Sequence, residues 1–183
     1  MERIPALVRL FAKDYRRDEL ITLFGCLLAI HEPLEAALAG TPEAMAIGYR
    51  SRTPLLVNGL ATLGGQRGSS PPVLVPTYSS SASRIGGLYV LEGSILGGQV
   101  IRRQLEAHFG NAIRDALDFY SPYGEDVGGQ WIRFRTALAQ ITADEAAGRE
   151  AELAAIATFS AIGLQLACLD TMDTTYRHSG SGS

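Results

Sequence analysis

The chain has 183 residues, 46% hydrophobic and 19% charged, with a formal net charge of −3. A chain of this length buries roughly 68–70% of its unfolded surface as a single domain. Its composition excludes a disordered chain, and its mild negative charge removes the positive field that general nucleic-acid binding needs. The arginines stand singly or in pairs such as Arg16-Arg17 and Arg102-Arg103, and Lys13 is the single lysine, so no basic patch forms.

Cys26 and Cys168 both sit in apolar runs and make no Cys-x-x-Cys pair, as expected of a reduced cytoplasmic protein with buried thiols. The start Met1-Glu2-Arg3 lacks the charge, apolar run and cleavage site of a signal peptide. The longest apolar stretch, Leu153 to Leu169, is interrupted by Thr158, Ser160 and Gln165. It falls short of the ~20 residues that cross a bilayer, so the expectation is a buried helix and no membrane span.

In chain order, Ile4, Leu7, Val8, Leu10 and Phe11 recur at helical spacing before the charged break Lys13 to Arg17. Leu20, Leu23, Phe24, Leu27, Leu28 and Ile30 resume it, which predicts two helices or one bent helix. Despite Pro33, this pattern continues to about Ala39, with Gly40 as the stop. Ser51-Arg52-Thr53-Pro54 reads as a helix start in which Thr53 caps and Pro54 takes the first turn; Gly64-Gly65 ends that helix. Gly64 to Thr77, rich in Gly, Pro and Ser, is a long loop. A long glycine-bearing run follows from Ser79 to Phe109. Asn111 to Phe119 predicts a short helix, and Ser121 to Gly129 a loop. Trp131, Phe134 and Leu138 lie at i, i+3 and i+7, and Ala143 to about Asp173 forms the last helix. No period-two alternation persists. The expected architecture is an all-α single domain over 1–176, followed by a disordered Gly/Ser tail over 177–183.

The run holding Gly86, Gly87, Gly93, Gly97 and Gly98 is the informative one. At about 100° per residue, Gly93 and Gly97 lie about 20° either side of Gly86 on one helical stripe. Each interior glycine costs roughly 0.8–1 kcal/mol against alanine, so something must offset five of them. Two explanations compete. Gly93-x-x-x-Gly97 has the spacing that lets another helix cross closely; alternatively, a flat ligand lies against bare backbone, where only glycine avoids a Cβ. The pair Gly97-Gly98 also offers a site for a kink across such a ligand.

The segment Gly86-Gly-Leu-Tyr-Val-Leu-Glu-Gly-Ser-Ile-Leu-Gly-Gly-Gln-Val-Ile101 closely resembles the distal helix of bacterial heme oxygenases, especially the biliverdin-producing type found with bacterial phytochromes. The likeness extends through His31-Glu-Pro-Leu-Glu-Ala-Ala-Leu38, Trp131-x-x-Phe134-x-x-x-Leu138 and Ala157-Thr-Phe159. It implies an all-α heme oxygenase fold in which heme is held between a proximal and a kinked distal helix. The ring is opened with O₂ and electrons from an external donor to give biliverdin, CO and iron. On this resemblance Gly93, Ser94, Gly97 and Gly98 form the distal catalytic face. Gly86, Val90, Gly93, Gly97 and Gly98 contact the cofactor, and Arg135 meets a heme propionate. Ser94 stands where many relatives place an aspartate that organises water. A redox partner and a functional link to a bacterial phytochrome are also implied.

The family's proximal ligand is a histidine on a helix upstream of the part matching Ile4 to Leu38, so that helix is expected to be absent here. His31 remains as the candidate iron ligand. His108 lies about 15 Å along a straight helix beyond Gly98, too far to meet the same iron, and His178 adjoins the tail. Three readings stay open: a heme oxygenase, a non-catalytic heme- or bilin-binding protein of the same fold, and a helical interaction module without a cofactor. No G-x-S-x-G elbow or Walker loop competes, and Glu32, Glu35 and Glu92 lack the Glu-x-x-His partners of a di-iron site.

Overall fold

The computed structural model describes residues 8–68 and 73–179, the side chains of 168 and 170–179 excepted. Every regular element among the described residues is helical: α1 (Arg17–Leu38), α2 (Pro42–Ile47), α3 (Thr53–Leu63), α4 (Ser81–Phe109), a 3₁₀ segment (Asn111–Tyr120), α5 (Val127–Ile141) and α6 (Glu145–Ser179). The all-α expectation is met. Ile4 and Leu7, residues 69–72 of the long loop and 180–183 of the expected tail lie outside the described residues. The last helix runs on to Ser179, into the stretch expected to be tail.

Helix ends follow local chemistry. Ser80 caps α4, accepting from the Ser83 amide at 3.0 Å while Ser83 Oγ accepts from the Ser80 amide. Gly64 closes α3 with φ +80, a left-handed position that favours glycine. The start of α3 departs from expectation. Thr53 does not cap; its hydroxyl is buried without a partner, and the amides of Arg52 and Thr53 donate instead to the Glu35 carboxylate on α1, at 2.6 and 3.1 Å. A carboxylate at a helix N-terminus satisfies unpaired donors and faces the positive end of the dipole.

Helix α4 is the spine, packing along α6 and against the 3₁₀ segment, α5 and α2. One core gathers Leu20, Phe24, Leu28, Leu56, Leu60 and Leu117 between α1, α3 and the 3₁₀ segment. The other gathers Ile30, Leu34, Ile47, Ile85, Leu88 and Phe134, joining the second half of α1 to α2, α4 and α5. Pro33 sits inside α1 without ending it. Because both flanks of α1 are buried, its packing outweighs the one hydrogen bond that proline removes.

Helix α6 departs from the buried helix expected over 153–169. Ala151, Thr158 and Leu166 are buried, but Leu153, Ile156, Phe159 and Leu164 are exposed. Two helical stretches, 17–38 and 145–167, are long and apolar enough to cross a membrane by length and composition. Half of the first is buried within the bundle, as befits a core helix.

Candidate functional site

The five glycines of α4 divide into two groups. A Cβ on Gly86 would fall on the Ala151 carbonyl oxygen of α6 and within 2.9 Å of its carbon. One on Gly87 would lie 2.6 Å from the Tyr78 ring, and one on Gly98 would lie 3.2 Å from the Tyr120 carbonyl. These three are explained by close packing. At Gly93 and Gly97 a Cβ would meet nothing within 4 Å.

The open glycines, Gly93 half-buried and Gly97 exposed, lie on one stripe of the helix. Tyr89, Leu96 and Val100, 46%, 49% and 48% exposed, share that side of α4 with Gly93 and Gly97. Tyr89 borders α5, its ring 6.4 Å from Trp131 and 6.1 Å from Phe134, which stack on each other at 5.5 Å. At the other side Gly86 marks the crossing with α6. The result is an apolar strip floored by bare backbone, with an aromatic cluster at one edge. The helix itself is unbroken from Ser81 to Phe109.

The structure thus brings Gly93, Ser94 and Gly97 together on one open surface. Gly86 and Gly98 are buried in helix contacts and Val90 is half-buried. Arg135 is exposed on α5, next in sequence to Phe134, and lines a groove of about 530 Å³ with Ile132, Thr136, Ala139 and Gln140. His31 lies elsewhere, in the core. It is 5% exposed, edge-on to Phe119 with centroids 5.1 Å apart, and its Nδ1 is unpartnered at 3.9 Å from Glu35 Oε1. A heme-sized ligand does not reach that ring without parting α1 from its neighbours. His108 is engaged as well, its Nε2 2.7 Å from the Tyr15 carbonyl oxygen. No cluster of three His, Cys, Asp or Glu suited to a metal occurs among the described residues.

Beneath the strip lies a polar network that the sequence did not disclose. Arg52 and Glu92, each 1% exposed, pair at 3.0 Å. Glu92 also accepts from the Tyr123 hydroxyl at 3.0 Å and Gln130 Nε2 at 2.9 Å. Arg52 Nη1 donates to the Leu91 carbonyl and to Ser94 Oγ, the latter at 3.0 Å. Glu35 accepts from Tyr49 at 2.7 Å and from Ser51, besides capping α3. The one available signal was a glutamate in an otherwise apolar run, Leu88 to Leu96. Such a charge must be paired, but sequence could not identify Arg52 as its partner.

Burial alone would raise the pKa of Glu35; the nearby His31 and the donors Ser51, Arg52 and Thr53 outweigh it and hold the carboxyl well below its usual range. Burial lowers His31 from its ordinary value of 6.5, and burial with Glu92 beside it pushes Tyr123 up to about 12. Both lowered groups bind protons more readily when unfolded, so each favours folding at the higher pH. The His31 contribution is complete above pH 6.5 and is lost as the pH falls toward its folded value; the Glu35 contribution is present above 4.5 and is lost below it. Each costs up to about 1.4 kcal/mol per pH unit. Urea unfolding should therefore show a first loss of stability as the pH falls below 6.5, a loss that His31→Phe removes. A flat profile in that window would contradict the burial of His31 as a neutral ring.

No family model matches the chain, and no solved structure matches it. Its sequence is similar to a heme oxygenase. That protein, from Xanthomonas campestris pv. campestris (strain 8004), is 39% identical over 112 residues. The aligned part covers 61% of this chain and 65% of the relative, so the chain spans about two thirds of the length of the curated protein it matches. The all-helical architecture agrees with this likeness.

Proposed function

We propose that this chain is a heme oxygenase-type protein that takes heme on the Gly93/Gly97 face of α4 and opens it to biliverdin, CO and iron. O₂ and electrons come from an external donor. The observation that carries the reading is the open space above Gly93 and Gly97. Helix packing within the chain accounts for Gly86, Gly87 and Gly98 but not for these two, and bare backbone there lets a flat ligand approach α4 without meeting a Cβ. The heme oxygenase of Xanthomonas campestris supplies the chemical class.

Heme, when bound, supplies both the iron that activates O₂ and the ring that is opened. The chain's own residues bind and orient it. Tyr89, Leu96 and Val100 offer apolar contact for the ring. The exposed guanidinium of Arg135, which makes no ion pair among the described residues, is suited to a propionate. Gly93 and Gly97 carry no side chain that could ligate iron, so a heme held on this face would keep that side accessible to small molecules. The bilin product is of the kind a bacterial phytochrome carries, which makes such a photoreceptor the proposed downstream partner.

A second reading, heme or bilin binding without turnover, is favoured by the histidines. The ring of His31 is buried in the core against Phe119 and that of His108 meets the Tyr15 carbonyl, so neither stands ready as an iron ligand. Titration with hemin tests binding through the Soret band, and addition of a reductant under air tests turnover through the appearance of biliverdin absorbance. The first reading expects both signals and the second only the Soret band. An unchanged hemin spectrum at stoichiometric protein overturns the first reading, and an unchanged biliverdin spectrum as well overturns the second.

A further inference from the structure

Helix α6 carries a second exposed face, on the far side from the core. Its buried residues Ala151, Thr158 and Leu166 lie within about 80° of one another, whereas Leu153, Ala157, Ser160 and Leu164 span about 60° on the opposite side. All four are exposed, Leu153 at 62% and Leu164 at 73%. Ile156, 55% exposed, and Ala167 widen the stripe. No residue from 153 to 169 is charged. The solvent side of a helix normally carries charged residues, so an apolar stripe about 20 Å long marks a contact surface.

The spacing within the stripe says what fits it. Leu153, Ala157, Ser160 and Leu164 stand four, three and four residues apart, an order that reads the same from either end: large, small, small, large. Laid antiparallel on a second copy of itself, the stripe sets Leu153 against Leu164 of the other copy and Ala157 against Ser160. Leucine pairs then close both ends, and the small residues let the two helices approach in the middle. A parallel pairing is disfavoured, because exposed Arg149 continues the same stripe and would meet its own copy. The area agrees. The stripe offers on the order of 500 Å² per copy, so a pair buries about 1,000 Å² in all, where specific interfaces begin.

We propose that α6 is a self-association surface through which two copies of the chain pair antiparallel, about a twofold axis passing between Ala157 and Ser160. The inference is independent of heme, since the stripe points away from the side by which α6 meets α4 at Ala151 and Gly86. An interface of this size gives a reversible dimer.

Sedimentation equilibrium of the ligand-free chain from about 1 to 500 µM should show monomer and dimer in exchange, with a micromolar dissociation constant. Leu153→Lys and Leu164→Glu should each weaken dimerisation by roughly tenfold or more, while far-ultraviolet circular dichroism stays native because both positions are exposed. Mixing the two variants is the decisive step. In the antiparallel register the introduced lysine faces the introduced glutamate across one contact and the native leucines meet across the other. The mixture should therefore dimerise more tightly than either variant alone, by roughly tenfold. A chain still monomeric at about 500 µM overturns the inference and leaves the stripe to a partner of another kind. A dimer that both variants leave intact also overturns it, since the copies would then meet elsewhere. A mixture no tighter than its components overturns the antiparallel register.

Discussion

Gly97→Leu is expected to weaken hemin binding by roughly tenfold to a hundredfold while leaving the urea midpoint of the ligand-free protein near that of the native chain. The reason is geometric. A side chain at Gly97 projects into open space, so it disturbs nothing until a ligand arrives. Gly93→Ala and Gly97→Ala should even stabilise the ligand-free chain by about 0.8–1 kcal/mol each, because helical alanine replaces helical glycine without a clash. Gly86→Ala is the contrasting case. Its Cβ would meet the backbone of Ala151, which cannot swing aside as a flexible side chain would, so α4 and α6 must separate at a cost of about 1–3 kcal/mol. If Gly97→Ala destabilised the free protein as Gly86→Ala does, both glycines would be packing residues and the ligand face would lose its support.

The second large effect concerns the ion pair under that face. Arg52→Met should lower unfolding free energy by about 3–5 kcal/mol, since it strands the buried Glu92 carboxylate beside Tyr123 and Gln130. Typical domains are stable by only about 5–15 kcal/mol, so the loss is large. The double variant Arg52→Met/Glu92→Met should recover at least half of it, because removing both charges also removes their desolvation cost. Equilibrium urea unfolding of the three variants measures this. Equal losses in the single and double variants would mean that the side chains, rather than the charges, carry the effect.

Most helices were legible because their apolar residues recur at 3.6 residues and their ends carry Ser, Pro and Gly. Ser80, Pro54 and Gly64 behave as their chemistry dictates. What was illegible depends on distant partners. Thr53 looked like a cap, but Glu35, 18 residues earlier, takes the amides that a threonine would have served. The outward apolar residues of α6 were indistinguishable by composition from its buried ones, since Leu153 and Leu166 are the same residue in different surroundings.

The site shows the same division. Spacing placed Gly86, Gly93 and Gly97 on one stripe, yet only the path of α6 decides that Gly86 is covered and the other two are not. The Arg52–Glu92 pair joins residues 40 positions apart, and no local pattern encodes that separation. His31 drew notice as a histidine within the family-like segment, but burial against Phe119 takes it away from the open face.

Whether a flat ligand occupies the open stretch of α4 is tested most directly by following backbone amide signals of labelled protein as hemin is added. The paramagnetic iron broadens nearby amides, so the signals of Gly93 and Gly97 should vanish first, with those of Gly48 and Gly64 persisting at the same hemin ratio. Gly93 and Gly97 signals that survive saturating hemin, while others in the chain disappear, would contradict the assignment of this face as the heme site.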